Sequence, residues 1–160
     1  PWVCQWLRAR LLPKAPADGV AKRLYVSRRR AGRGRVRNED AVEAVLLRHG
    51  FTTVDAETLS FAQQVALFSG AEAVVGPHGA GLSNLVFAPA GCRVLELFAP
   101  SCVNVCYWTL ACQLGLPYAF LLGTDVPGPG GAARPDMQVD AAGLDNLLAR
   151  LLAQPAEATA

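Results

Sequence analysis

Two periods alternate along this chain. Val42, Val45 and Leu46 fall on one side of a 3.6-residue turn, as do Phe61, Val65 and Phe68 and the leucines at 144, 147, 148, 151 and 152. That spacing predicts amphipathic helices. Between them lie short runs rich in β-branched and aromatic residues: RLYVS at 23–27, FTTVD at 51–55, EAVVG at 72–76, RVLELF at 93–98 and YAFLL at 118–122. These have the length and composition of strands buried on both faces. Asn38 is placed to cap the first of these helices, with Glu39 and Asp40 favoured in its first turn by the helix dipole. Ser60 and Gln63 form an S-x-x-Q capping box, Gly50, Gly70 and Gly115 close helices, and Pro89 stops a helix expected over 80–87. Further helices are expected over 2–12 and 103–114, while 13–19 reads as a linker and VPGPGGAARP at 126–135 as a loop. Strand and helix alternate throughout, which predicts an α/β fold. A parallel sheet with helices on both faces should present ligands at the carboxyl edges of its strands.

With 160 residues, 52% of them hydrophobic and 18% charged, the chain has enough material for one well-buried domain and too little for two ordinary ones. We divide it into an N-terminal helix and linker at 1–19, one α/β domain at 20–153 and a tail at 154–160. No apolar run reaches the length of a membrane span, and the start lacks the segments of a signal peptide and an initiating Met, so we expect a piece of a longer protein. The five cysteines, with no C-x-x-C, argue against a disulfide framework or a zinc site and read mostly as small buried hydrophobes. Cys102 and Cys106 are spaced to share a helix face, with core packing the simpler account.

Charge changes the picture more. Residues 22–37, KRLYVSRRRAGRGRVR, hold eight of the fifteen Lys and Arg and no acid, which leaves seven basic and thirteen acidic side chains elsewhere. So local a concentration points to a small anion and not to nucleic acid, which takes a wider basic face; a solvated loop is the plainer alternative.

GPHGAGLSN at 76–84 then becomes the centre of interest, because its glycines fall where the third strand hands over to a helix. Glycines there permit a tight turn and let a ligand approach unpaired N–H groups, so phosphate is the default ligand. His78, Ser83 and Asn84 add hydrogen-bonding side chains. A glycine turn chosen for helix–sheet packing, with His78 bonded inward, is the competing account. The order G-x-x-G-x-G is not the dinucleotide fingerprint, the turn lacks the G-K-[ST] of a P-loop, and both histidines precede Ser83, against the order of a hydrolase triad.

In sequence order, LYVSRRR, RVRNED, ETLSFAQQ, GPHGAGLSN and VLEL resemble the C-terminal half of glycosyltransferase family 61 over about residues 22–122. That family has an S-R…R-x-[IV]-x-N-E segment, an S-F-x-E-Q helix, a G-P-H-G-A-G-L-[ST]-N turn and a V-[IV]-E-L strand. Gln63 departs from the acid expected there, and its capping role accounts for the change. The resemblance implies a GT-B enzyme of two facing Rossmann-like halves, inverting and independent of metal, of which this chain is the donor-binding half. It implies a nucleotide-sugar donor, a glycan or glycoprotein acceptor, no further cofactor, and a missing N-terminal domain that carries much of the acceptor site and the base.

Carried onto this sequence, the resemblance puts the diphosphate against Arg28, with Arg33 or Arg35, and in the turn formed by His78, Gly79, Ala80, Gly81, Ser83 and Asn84. Asn38 and Glu39 match the family's N-E pair as ligands or as helix-capping residues. Glu96, in the fourth strand, is suited to ribose hydroxyls or is simply a surface carboxylate. There is no D-x-D motif to hold Mg²⁺ or Mn²⁺. A nucleotide-binding oxidoreductase module and a noncatalytic anion-binding domain stay open as alternatives. The compartment stays open too: the Golgi or endoplasmic reticulum lumen in a eukaryote, the cytoplasm in a bacterium.

Overall fold

A computed structural model describes residues 2–12, 21–128 and 135–153; the linker and the tail fall outside these. The elements run α1 (Trp2–Leu11), β1 (Arg23–Val26), α2 (Glu39–Arg48), β2 (Thr52–Val54), α3 (Phe61–Ser69), β3 (Ala73–Pro77), a 3₁₀ helix (Ala80–Phe87), β4 (Arg93–Phe98), α4 (Cys106–Leu114), β5 (Tyr118–Leu122), β6 (Thr124–Val126), β7 (Asp136–Gln138) and α5 (Ala141–Ala153). The first five strands form one parallel sheet in the order β2-β1-β3-β4-β5. Their alternating side chains feed two cores. Leu24, Val26, Val74 and Val94 meet Val65 and Phe68 of α3, Leu82 and Leu85 of the 3₁₀ helix and Ala111 of α4. Tyr25, Val75, Leu95 and Leu97 meet Val42, Val45 and Leu46 of α2 and Leu144, Leu148 and Leu151 of α5. The sheet is therefore covered on both faces, a Rossmann-like arrangement.

The local signals act much as their chemistry demands. Ser60 and Gln63 make the capping box reciprocally, and Gly115 ends α4 with φ 67°. Arg8 of α1 donates to the carbonyls of Val86 (3.0 Å) and Ala88 (2.6 Å), which tie the first helix to the last turn of the 3₁₀ helix.

Several expectations need correction. The loop at 126–135 begins and ends in an antiparallel pair, β6 with β7; three-residue strands carrying Asp and Thr give no periodic signal. The helix expected over 80–87 forms with those bounds, wound as a 3₁₀ helix. Asn38 sits at the N-cap position of α2, but its side chain does not cap it. Instead its amide donates to the Val139 carbonyl (2.8 Å) and accepts from the Val139 N–H (3.0 Å), in the manner of a strand neighbour. Only Cys4 and Cys92 are buried, whereas Cys106 and Cys112 are exposed. Phe61 is exposed, meeting Phe87 edge to face.

Asp136 of β7 is buried and binds the returning basic segment. It accepts from the Arg35 N–H (2.9 Å) and from Nε and Nη2 of the same residue (3.2 and 3.0 Å), and Arg37 adds a fourth contact at 3.4 Å. Burial alone would push the Asp136 carboxyl up, but the Arg35 amide and guanidinium outweigh it and hold the group below its ordinary value. A carboxylate with a depressed folded pKa contributes stability that is present above its unfolded value, about 3.9, and is lost as pH falls through the folded value. Thermal melts between about pH 2 and pH 7 should therefore show an acid-side loss of stability that is smaller in Asp136→Asn. The variant itself should be destabilised at neutral pH by about 1–3 kcal/mol, the range for lost hydrogen bonds to a charged group.

Candidate functional site

Because all five strands of the main sheet are parallel, their carboxyl ends share one edge. At the centre of that edge β1 and β3 lie side by side, yet their connections leave on opposite faces: the chain after β1 goes to α2, and the chain after β3 goes to the 3₁₀ helix. In open α/β sheets the crevice at such a divergence is the usual ligand position.

The glycines of GPHGAG shape that crevice for separate reasons. A Cβ on Gly76 or Gly81 would press on the Val26 side chain, at 3.2 and 2.7 Å respectively, so both glycines let the 3₁₀ helix close against β1. A Cβ on Gly79 would overlap the guanidinium of Arg28. The missing side chain admits that cation onto the turn. The first hydrogen bond of the 3₁₀ helix runs from Leu82 N to Gly79 O (2.9 Å), so the N–H groups of Ala80 and Gly81 precede it. Arg28 is half-buried and donates from Nη2 to the Arg33 carbonyl (3.1 Å).

His78 is held more firmly than its glycine neighbours suggest. Its Nδ1 meets Glu96 Oε1 at 2.5 Å, its ring stacks on Phe98 at 5.4 Å, and Tyr107 lies 5.3 Å away. Glu96 has no exposed surface, and its second oxygen accepts from the Tyr118 hydroxyl at 2.6 Å. Burial, then the Glu96 carboxylate, pushes the Tyr118 phenol well up, so it remains a donor at neutral pH. A carboxylate acceptor places a proton on Nδ1 and orients the imidazole. Glu96 is thus neither a surface carboxylate nor at the mouth of the crevice; it stands behind His78.

The remaining sequence candidates divide. Glu39 is buried, accepting from Tyr25 Oη (2.9 Å) and Ser27 Oγ (2.7 Å) and pairing with Arg29 Nε (3.3 Å), so it anchors the end of β1. The Arg35 fork closes on Asp136. Arg33 is exposed. Ser83 is exposed and 3.2 Å from the Tyr107 hydroxyl, whereas Asn84 is buried and donates inward to Gln64 Oε1 (2.7 Å) and the Gly81 carbonyl (3.1 Å). Gln64, Phe98 and Tyr118 were missed as supports of the turn. Gln64 lay within a recognisable helix motif, but nothing in a strand's composition marks a tyrosine that will bond a buried acid. Among the described residues, no group of three or more His, Cys, Asp or Glu side chains is arranged to hold a metal ion.

This fold and crevice define a doubly wound α/β domain with its candidate ligand site at the strand-order switch. The chain belongs to glycosyltransferase family 61, whose model, described as Glycosyltransferase 61, matches residues 1–95. The EGF domain-specific O-linked N-acetylglucosamine transferase of Drosophila melanogaster is 34% identical over 110 residues, covering 67% of this chain and 21% of that protein. The protein O-linked-mannose beta-1,4-N-acetylglucosaminyltransferase 2 of Homo sapiens is 33% identical over 99 residues, covering 59% of this chain and 17% of that protein. The chain therefore spans about a fifth of the length of these relatives.

Replacing Glu96 tests the support beneath His78. In Glu96→Leu the His78 Nδ1–H and the Tyr118 hydroxyl lose their common acceptor. Each stranded donor costs roughly 1–3 kcal/mol, so urea unfolding should report a loss of about 2–6 kcal/mol. Nitrogen NMR of the His78 ring should show the Nδ1–H tautomer lose its dominance.

Proposed function

We propose that this chain is the donor-binding part of a glycosyltransferase that moves a sugar from a nucleotide-sugar, UDP-N-acetylglucosamine being the first to test, to a protein or glycan hydroxyl. The observation that carries this reading is the meeting of Arg28, Gly79 and the His78–Glu96 pair at the β1–β3 switch, in a chain of this family. UDP is the nucleotide we favour from the family resemblance, and N-acetylglucosamine is the sugar in the names of both relatives.

As the glycosidic bond to the donor breaks, negative charge grows on the β-phosphate. Groups already aimed at that oxygen lower the barrier, because they need no reorganisation at the moment of reaction. Arg28 supplies a forked cation, suited to a diphosphate. The Ala80 and Gly81 N–H groups supply fixed dipoles, and with Nδ1 bonded to Glu96 the phosphate contact of His78 falls to Nε2. On this reading transfer inverts the anomeric centre and requires no metal, as the family resemblance implies. The acceptor's base must lie on the face opposite the leaving group. We assign it to the domain that faces this one, since His78 serves the phosphate side and His49 is bonded to Asp145 at 2.7 Å, at the far end of α2.

Calorimetry on the 160-residue chain should detect UDP and UDP-N-acetylglucosamine binding, and Arg28→Ala should weaken it by about 1.5–3 kcal/mol, the range for a hydrogen bond to a charged group. His78→Ala should weaken it as well. The chain alone should transfer no sugar, while the longer enzyme should transfer it undiminished in EDTA. Unchanged affinity in folded Arg28→Ala would remove Arg28 from the site, transfer by the isolated chain would place the base within it, and activity lost to EDTA and restored by Mn²⁺ would overturn the metal-free mechanism.

A further inference from the structure

Beside His78, along the edge strand β5 and against the start of α4, lies an apolar groove of about 350 Å³, walled by Phe98 of β4, Tyr118 and Phe120 of β5, Trp108 of α4 and the valines at 103 and 105. We propose that this groove seats the nucleobase of the donor, a pyrimidine ring stacked against Trp108 and Phe120. The inference rests on the donor-binding reading above and extends it to a part of the ligand that the crevice does not address.

Three observations support the assignment. The first is chemical. A nucleotide-sugar has an anionic part, a polyhydroxylated part and one flat aromatic part, and a groove with four aromatic walls suits the last best, since a base stacks through its whole face and a sugar only through its C–H edges. Base–aromatic stacking is strong and tolerant because every base presents a π-face. The second is continuity. The His78 ring stacks on Phe98, and Phe98 meets Phe120 edge to face at 6.4 Å, so groove and turn are separated by a single ring. Glu96 joins them a second time, taking His78 on one oxygen and Tyr118, a wall of the groove, on the other. A ligand in the groove and a phosphate at the turn are thus positioned by the same buried carboxylate. The third is exposure. Trp108 is 50% and Phe120 57% exposed, close together on an edge where isolated apolar residues would be unremarkable but a cluster marks a binding surface. The volume lies in the range of small-molecule sites.

Asn104 adds a polar group at the rim. Its Oδ1 accepts from the Cys106 N–H at 2.9 Å, which orients the amide. A pyrimidine edge carries both donors and acceptors, so an oriented amide offers discrimination that stacking alone does not.

The test separates the groove from the turn by comparing ligands on the full chain. Inorganic pyrophosphate addresses only the phosphate site, whereas UDP addresses both. UDP should bind more tightly than pyrophosphate and quench tryptophan fluorescence, and pyrophosphate should not quench it. Trp108→Ala should weaken UDP about tenfold or more while leaving pyrophosphate unchanged, and Trp108→Phe should recover most of the UDP affinity without the quench. Trp108 is half-exposed, and unchanged pyrophosphate binding in each variant reports that the fold is intact. Equal affinities for UDP and pyrophosphate, or a Trp108→Ala variant that binds UDP like the parent, would overturn the groove assignment and leave the phosphate site standing. Binding of neither ligand would overturn the donor-binding reading, and the groove assignment with it.

Discussion

The chain leaves β1 and β3 toward opposite faces of a parallel sheet, and the site depends on that divergence. Neighbouring parallel strands whose connections leave on one face are roofed by adjacent helices; where the connections diverge, the edge stays open between them. In this chain β1 is followed by Ser27-Arg28 and β3 by His78-Gly79, so the strand order alone sets an arginine across from a glycine turn. Gly76 and Gly81 then let the 3₁₀ helix close on Val26, and Gly79 leaves the space that the Arg28 guanidinium enters.

Three buried acids hold that edge in one arrangement. An ionised carboxylate taken from water costs several kcal/mol unless it is paired and hydrogen-bonded. Glu39 has Tyr25, Ser27 and Arg29, Glu96 has His78 and Tyr118, and Asp136 has Arg35 and Arg37. Each acid thereby immobilises a different piece of the wall: the end of β1, the histidine of the turn, and the return of the basic segment. Asn84 and Gln64 do the same from beneath the 3₁₀ helix. The partners are far apart in sequence, as with Arg35 and Asp136, so their positions are fixed only once the sheet has formed.

That separation explains what was legible in the sequence. Elements whose signal is local were readable: the five strands of the main sheet from their β-branched runs, α3 from its capping box, the end of α4 from Gly115. The glycine turn after β3 was readable as well, because glycines at a strand's end carry a backbone meaning independent of partners. The direction of side chains was not. Asn38 has the composition of an N-cap and instead pairs with the backbone of Val139, and Glu96, a carboxylate near a strand's end, turns inward because the histidine after β3 and a tyrosine of β5 converge on it. The β6–β7 pair escaped for a related reason: three residues in each strand carry little local signal, and the Asp136 of β7 finds its partner Arg35 101 residues earlier.

The basic segment shows how far a charge count differs from a charge distribution. Its eight cations have no acid among them in sequence, which suggests a strongly positive surface. The fold brings Glu72 to Lys22, Glu39, Asp40 and Glu43 to Arg29, Asp55 to Arg30 and Asp136 to Arg35 and Arg37. Most of these pairs are exposed and worth little in stability, since solvent and salt screen them. Their effect is directional: they hold the arginines that flank Arg28 against α2, β2 and β7. On the donor-binding reading proposed above, an anion at this edge would answer less to the segment's total charge than to one half-buried guanidinium laid on a glycine backbone, beside a histidine whose orientation a buried acid has already set. A ligand that meets groups fixed in this way loses little affinity to ordering them.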